Sequence, residues 1–270
     1  NDNEMRDVTG SNTYYGGSYD EGEAHCHPLN YALGIAKAAI SAGAKIFENS
    51  PALSYKINDD HVKVITKDGS IKADRVVLAC NGYLGNLEKS LTSKILPMNN
   101  YIVATEALDD QTVKKINPRD IAFADSRFVI NYFRLSADKR LLFGGGENYS
   151  QELSNNIIPI VTKPLEKIYP FLKGVKIDYA WGGKLAITMN RLPFFTTLHQ
   201  DKIISAQGYS GQGVALASYS GKLVSEKITG NGETFDIMAK IPRQSFPGGR
   251  FLRNPSMKLG MLYYSLMDRL

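Results

Sequence analysis

The spacing of apolar residues predicts that the N-terminal third of the chain contains a helix followed by a strand. Apolar residues at intervals of four, three and four follow Pro28, a residue favoured in the first helical turn. This period places them on one face of an amphipathic helix over residues 28–42: Leu29, Leu33, Ala36 and Ile40. Gly43 ends the helix, and the apolar segment 44–47 predicts a short strand.

A small β-meander is predicted next. Val62 and Val64 alternate with polar residues, as in a strand with one buried face, and Asp68-Gly69 supplies a hairpin turn. The unbroken apolar run 76–79 is typical of a strand buried on both faces of a sheet. Helix, strand and meander together indicate a mixed α/β region.

Longer strand-like segments dominate residues 96–200, with one helical stretch near 159–172, and they predict a second, sheet-based domain. A strand over 202–207 follows, then a glycine loop and a helix that ends at Gly230. One face of that helix carries small and apolar residues: Val214, Ala217, Gly221 and Val224. The tail has an apolar stripe at helical spacing, which more often means core packing than a groove for a partner: Leu259, Leu262, Tyr263, Leu266 and Leu270.

Composition and charge narrow the class of protein. The 270 residues are 43% hydrophobic and 22% charged, which is ordinary for a globular chain with a sizeable core. A net charge of +5 without a run of like charges gives no support for nucleic-acid binding, and no long apolar stretch predicts a membrane span. Having only two cysteines favours a reducing compartment, so we expect a cytoplasmic protein. The polar, glycine-rich opening lacks a strand, and we expect a piece of a longer protein.

The glycine loop after the predicted strand 202–207 has two interpretations. Gly208, Gly211 and Gly213 leave backbone N–H groups accessible at the positive end of a helix, which suits an anion or an electron-rich carbonyl. A tight turn, in which glycine only permits unusual dihedral angles, explains the same spacing. The order G-x-x-G-x-G also differs from the dinucleotide fingerprint G-x-G-x-x-G. Both interpretations stay open on spacing alone.

Histidine and cysteine residues give no strong site. His25-Cys26-His27 invites a metal hypothesis, but zinc needs about four ligands, and His61 and His199 have no ligand-like neighbours in the sequence. We therefore predict no metal site. Cys80 ends a predicted buried strand, where cysteine behaves as a small hydrophobe. Hydrolase and kinase functions gain no support, because G-x-S-x-G, Walker and paired-carboxylate signatures do not occur.

Four sequence blocks in order carry a family resemblance: "ADRVVLACNGYLG", "NYFRLSADKRLLFGGG", "YAWGGKLAITMNRLPFF" and "AQGYSGQGVALASYSGKL". Together they resemble the superfamily of FAD-dependent amine and amino-acid oxidases that contains glycine oxidase, sarcosine oxidase and D-amino-acid oxidase. The likeness is greatest to its gamma-glutamylputrescine oxidoreductase branch, through "RVVLACNGYLG", "AWGGKLAIT" and the tail "FPGG" followed by "LGMLYYSLMDRL". It runs from about residue 11 to the end of the chain.

The resemblance implies an α/β (mixed α+β) flavoenzyme with two domains. An incomplete doubly wound FAD-binding domain is expected over 21–95 and 201–240, a sheet-rich substrate domain over 1–20 and 96–200, and a C-terminal tail with a helix over 241–270. Family members begin with a G-x-G-x-x-G unit for the FAD pyrophosphate and an acidic residue for the ribose. Neither occurs here, so the chain resembles the C-terminal two thirds of such an enzyme.

The resemblance also assigns cofactor residues by position. Ala52 matches the residue that meets the adenine, and the strand end with its turn matches the segment over the dinucleotide: Ala79, Cys80, Asn81 and Gly82. Another segment matches the loop that contacts the isoalloxazine: Gly208, Tyr209, Ser210, Gly211, Gln212, Gly213 and Val214. It lies at the start of a helix, whose dipole would stabilise the reduced flavin. Sarcosine oxidase-like members attach FAD through a cysteine that "GKLAITMN" lacks, which implies non-covalent FAD. Many relatives have histidine in place of Gln212.

The substrate side is expected to include Tyr132, Arg134 and Trp181, with Tyr209 beside them, although structural packing explains each residue equally well. Relatives that oxidise α-amino acids often have an arginine soon after W-x-G, where it binds the substrate carboxylate. Here Trp181-Gly182-Gly183 is followed by Lys184 and Leu185. This departure favours an amine over an α-amino acid.

The function implied by the resemblance is FAD-dependent oxidation of the CH–NH bond of a small-molecule amine, such as a gamma-glutamylated polyamine. Hydride would pass to the flavin, with O₂ as the acceptor, and no catalytic acid or base is identified. The alternatives are a glycine- or sarcosine-like amino-acid oxidase, a nicotinamide dehydrogenase, and a non-catalytic fragment or binding module without the pyrophosphate loop. The sequence does not indicate an oligomeric state.

Overall fold

The computed structural model describes residues 2–127, 129–146 and 152–249, together with residues 252, 255, 259 and 260. The helices are α1 Asp2–Thr9, α2 Pro28–Ser41, α3 Lys89–Thr92, α4 Asp110–Ile116, α5 Ile158–Ile168, α6 Gly213–Ile228 and α7 Glu233–Ala239. The strands are β1 Ser54–Ile57, β2 Val62–Ile65, β3 Ser70–Ala73, β4 Val76–Leu78, β5 Leu96–Ala107, β6 Phe123–Ala124, β7 Tyr132–Leu135, β8 Arg140–Gly144, β9 Ile177–Ile187, β10 Phe194–Leu198 and β11 Ile203–Gln207. None of the described helices is both long and apolar enough to cross a bilayer.

Most of the predicted elements are present, and two predictions are wrong. Helix α2 and the β2–β3 hairpin form as predicted, but no residue of α2 is buried, so its apolar face is exposed. Segment 44–47 forms no strand, since none of the described strands pairs with it in a hydrogen-bonded ladder. Strand β4 is not buried on both faces, since it forms the edge of its sheet and Val77 is 40% exposed. In the predicted tail stripe, Leu259 is exposed, and the positions from Leu262 onwards lie outside the described residues.

The chain divides into two compact units. Among the described residues, the first unit draws on the ranges 2–31 and 99–183 and on Gly260, and the second draws on the ranges 32–98 and 184–259. That the second unit holds FAD and the first holds substrate stays a prediction.

The core of the first unit lies on one face of a five-stranded sheet with the order β6-β7-β8-β5-β9. Helix α5 buries Val161, Leu165 and Ile168, which recur at the helical period and share a cluster with the sheet residues. The rings of Phe133 and Phe143 stack with centroids 5.5 Å apart, on neighbouring strands. These aromatic residues fill the space between helix and sheet.

The described part of the second unit contains two three-stranded sheets. One is the antiparallel meander β1-β2-β3, and the other has the order β10-β11-β4, in which β11 and β4 are parallel. Every residue of β11 is buried. On one side Ile204 contributes to a cluster with Leu223 of α6 and Phe235 of α7, and on the other side Ile203 packs in a second cluster. Strand β11 is therefore the centre of this unit, and the glycine loop follows it directly.

Candidate functional site

The candidate site lies where the parallel strands β4 and β11 end. Ile203 pairs with Val76 and Ser205 with Leu78, so both strands end at the same edge of the sheet. In open α/β sheets, ligands bind at this carboxyl edge. The turn Asn81–Tyr83 follows β4, and the loop 208–212 follows β11. A hydrogen bond of 3.1 Å from the Gly208 amide to Asn81 Oδ1 joins the two segments.

The loop leads into helix α6, whose N-terminus has no side-chain cap. Gly208, Ser210 and Gly211 all have positive φ, at 74°, 52° and 102°, which turns the chain sharply from strand to helix. The side chain of Gln212, at the N-cap position, makes no capping hydrogen bond. A Cβ built on Gly211 would meet no heavy atom within 4 Å. Among the residues that the structure describes, the first-turn amides of α6 therefore have no side-chain cap, and there is space at Gly211 just before them.

The end of β9 holds this loop in place. The Ser210 amide donates to Ala186 O over 2.9 Å, and the Thr188 amide donates to the Ser210 hydroxyl over 3.2 Å. Gly208 packs so closely that an added Cβ would lie 2.6 Å from Thr188 Cγ2. Thr188 and Ala186 were not among the residues predicted from sequence. The only signal for them is their position shortly after the W-G-G segment of the resemblance.

The turn after β4 packs against the same strand. A Cβ on Gly82 would lie 2.5 Å from Lys184 O, so only glycine fits there without moving the backbone. The Lys184 amide donates to the Tyr83 hydroxyl over 3.0 Å. Turn, strand end and glycine loop thus form one hydrogen-bonded junction within the second unit.

Tyr209 belongs to the protein interior. Its ring is buried and its hydroxyl donates to Ala206 O over 3.0 Å. Burial raises the pKa of the Tyr209 phenol. Structural packing therefore accounts for this side chain, while its backbone remains part of the loop.

The residues expected on the substrate side lie in the first unit. Tyr132 and Arg134 alternate with core residues on β7 and share its other face. The Tyr132 hydroxyl bonds to Asn100 Oδ1, and its ring lies where a side chain on Gly144 would project. Arg134 donates to Cys26 O over 2.8 Å, and Trp181 on β9 is 43% exposed. Their contact with a substrate stays a prediction.

The histidines near Cys26 make local contacts. His25 Nε2 lies 3.1 Å from Asp120 O, and the Asn30 amide donates to His27 Nδ1 over 3.3 Å at the start of α2. Among the residues that the structure describes, no group of three histidine, cysteine, aspartate or glutamate side chains could hold a metal ion.

Comparison with known proteins identifies the family. The model of the DAO family, described as FAD dependent oxidoreductase, matches residues 2–227. The chain belongs to this family. Of its relatives, the probable oxidoreductase OrdL of Rhizobium meliloti is 39% identical over 96% of this chain and 60% of its own length. The gamma-glutamylputrescine oxidoreductase of Escherichia coli is 38% identical over 99% of this chain and 63% of its own length. The chain thus spans about three fifths of these relatives.

Two solved structures share the fold of this chain. Glycine oxidase from Bacillus cereus superposes with a TM-score of 0.63 at 19% identity, covering 78% of this chain and 58% of that protein. L-proline dehydrogenase from P. horikoshii gives 0.60 at 24% identity, covering 75% and 55%. At this identity the likeness establishes the mixed α/β fold, as predicted.

The junction suits the cofactor named in the family description. Uncapped backbone amides beside open space are the donors that flavin carbonyl oxygens require. Gln207, the last residue of β11, is fully buried, and its carboxamide has no partner among the described residues. A buried carboxamide without a partner is rare in folded proteins, which usually supply one from water or a ligand. Ala52 lies exposed in the segment that leads into β1, also in the second unit, and its role at the adenine stays a prediction.

The two cysteines are expected to react at different rates with a thiol reagent. Burial raises the pKa of the half-buried Cys80 thiol, so little reactive thiolate forms at neutral pH, whereas Cys26 is exposed. Brief treatment with iodoacetamide at pH 7, followed by peptide mass spectrometry, should label Cys26 first. Raising the pH should then increase labelling of Cys80. Equal labelling at pH 7 would show that Cys80 is not protected.

Proposed function

We propose that this chain works as an FAD-dependent oxidoreductase that oxidises the CH–NH bond of a small-molecule amine. One observation carries the proposal: the uncapped start of α6 lies at the carboxyl edge of a parallel strand pair, in a chain of the DAO family. This is the place in the fold where a cofactor is expected. The oxidised flavin would supply the hydride acceptor.

The backbone from Gly208 to Val214 would hold the pyrimidine end of the flavin. The amides of the first turn of α6 carry the positive end of the helix dipole, and they would stabilise negative charge on the reduced ring. The turn after β4, residues 79–82, would lie over the dinucleotide, and Ala52 would meet the adenine. The chain has no cysteine in the segment following Trp181 that could attach the cofactor, which supports non-covalent binding.

We propose an amine rather than an α-amino acid as the substrate. Lys184 and Leu185 follow Trp181-Gly182-Gly183, where a carboxylate-binding arginine would favour an amino acid. The name of the Escherichia coli relative, gamma-glutamylputrescine oxidoreductase, supports a gamma-glutamylated amine. Tyr132, Arg134 and Trp181 of the first unit are the proposed substrate contacts. O₂ is the proposed electron acceptor.

The test is a visible absorption spectrum of the purified product of the natural gene, before and after addition of FAD. We expect the bands of bound oxidised flavin, and we expect them to be lost when amine is added without oxygen. Amines, gamma-glutamylated amines and α-amino acids are then compared by peroxide release. A protein that takes up no FAD contradicts the flavoenzyme proposal, and a preference for glycine or sarcosine favours the amino-acid oxidase alternative.

A further inference from the structure

Asn81 has an unusual backbone conformation at the point where β4 meets the glycine loop. Its φ is +48°, in the left-handed region that asparagine and aspartate tolerate better than other non-glycine residues. The residue lies three positions after Leu78, the last residue of β4, and begins the short turn Asn81–Tyr83. This conformation directs a short polar side chain across the edge of the sheet.

The Asn81 carboxamide connects the turn to the first residue of the glycine loop. Its Oδ1 accepts the hydrogen bond of 3.1 Å from the Gly208 amide, between residues 127 positions apart in sequence. Two further bonds tie the middle of the loop to the end of β9 and the residue after it: the Ser210 amide donates to Ala186 O, and the Thr188 amide donates to the Ser210 hydroxyl. Asn81 therefore fixes the start of the loop, and β9 fixes its middle.

We propose that Asn81 is a positioning residue for the glycine loop. Its side chain binds the loop through Oδ1, which accepts the hydrogen bond from the Gly208 amide. Holding Gly208 fixes where the chain turns into α6, and so fixes the uncapped amides at the helix start. Only this last step, from helix start to flavin, rests on the proposed function.

Amide hydrogen exchange tests the contact without a cofactor. In the natural gene product, prepared without FAD, the Gly208 amide should exchange about tenfold more slowly than the Gly211 amide, which has no hydrogen-bond partner within the described residues. Asn81→Gly keeps the backbone conformation accessible and removes the acceptor, so Gly208 exchange should accelerate about tenfold. Asn81→Asp keeps both the acceptor and the tolerance of positive φ, and it should restore slow exchange.

Asn49 provides a matched control. It is exposed, has a φ of 53°, and lies in the segment before β1 of the same unit. Asn49→Gly should leave Gly208 exchange unchanged. If Asn81→Gly does not fold, the wild-type comparison of Gly208 with Gly211 still tests the proposal. Equal exchange of Gly208 and Gly211 in the wild type, or unchanged Gly208 exchange in Asn81→Gly, would overturn the proposal.

The flavin provides a second readout. Without the hydrogen bond to Asn81, the loop would hold the helix amides less firmly, and these would stabilise the reduced flavin less. Asn81→Gly should therefore bind FAD about tenfold more weakly, and its bound flavin should have a more negative midpoint potential. Accelerated Gly208 exchange with an unchanged potential would overturn the step from loop to flavin. A wild-type protein that takes up no FAD would contradict the proposed function instead, and the exchange measurements would still decide the role of Asn81 in the loop.

Discussion

Gly82→Ala is expected to destabilise the second unit by about 3 kcal/mol and to abolish FAD uptake. The new Cβ would lie 2.5 Å from Lys184 O and 2.9 Å from Leu185 O. Both obstacles are backbone atoms of β9, which cannot rotate away as a side chain can. The turn must therefore move, and the Asn81 side chain that holds Gly208 moves with it. Urea unfolding and the visible spectrum after FAD addition measure the two effects.

Gly221→Ala is the matched control for this substitution. Gly221 lies within α6 in the same unit, and its added Cβ would have no neighbour within 4 Å. Alanine is the better helix former, so this variant should be more stable by about 0.5–1 kcal/mol and should still take up FAD. If Gly82→Ala behaved like Gly221→Ala, the close packing of the turn on β9 would be wrong.

Local elements could be predicted from the sequence because their signals are local. The apolar period behind Pro28 gave α2, and Asp68-Gly69 gave the β2–β3 hairpin. The order of β11, glycine loop and α6 was likewise predicted. Segment 44–47 shows the limit of such signals, since an apolar run becomes a strand only when another strand pairs with it.

The candidate site could be predicted only in part. Residue order and family resemblance indicated the two segments at the sheet edge, but the bond between Asn81 and Gly208 depends on the parallel pairing of β4 with β11. Sequence spacing carries no information about that pairing. The direction of the Tyr209 side chain also depends on packing, and the structure buries it with its hydroxyl on Ala206 O.

Phe143→Ala should lower the free energy of unfolding of the first unit by about 4 kcal/mol, through lost burial and the cavity left behind. Phe143 is fully buried on β8, and its ring stacks on Phe133 with an interplanar angle of 2°. Phe133 in turn meets Tyr169 edge to face, so the cavity would open in the middle of an aromatic cluster. Urea unfolding followed by circular dichroism provides the measurement.

Phe47→Ala is the control, because Phe47 is 65% exposed and its truncation should change stability by less than about 0.5 kcal/mol. The Phe143→Ala variant also distinguishes an effect on folding stability from an effect on cofactor binding. Phe143 belongs to the first unit, whereas the proposed flavin loop belongs to the second. Folded Phe143→Ala protein should therefore take up FAD with an unchanged visible spectrum. A loss of flavin at urea concentrations below the unfolding transition would contradict the proposal that the second unit alone holds FAD.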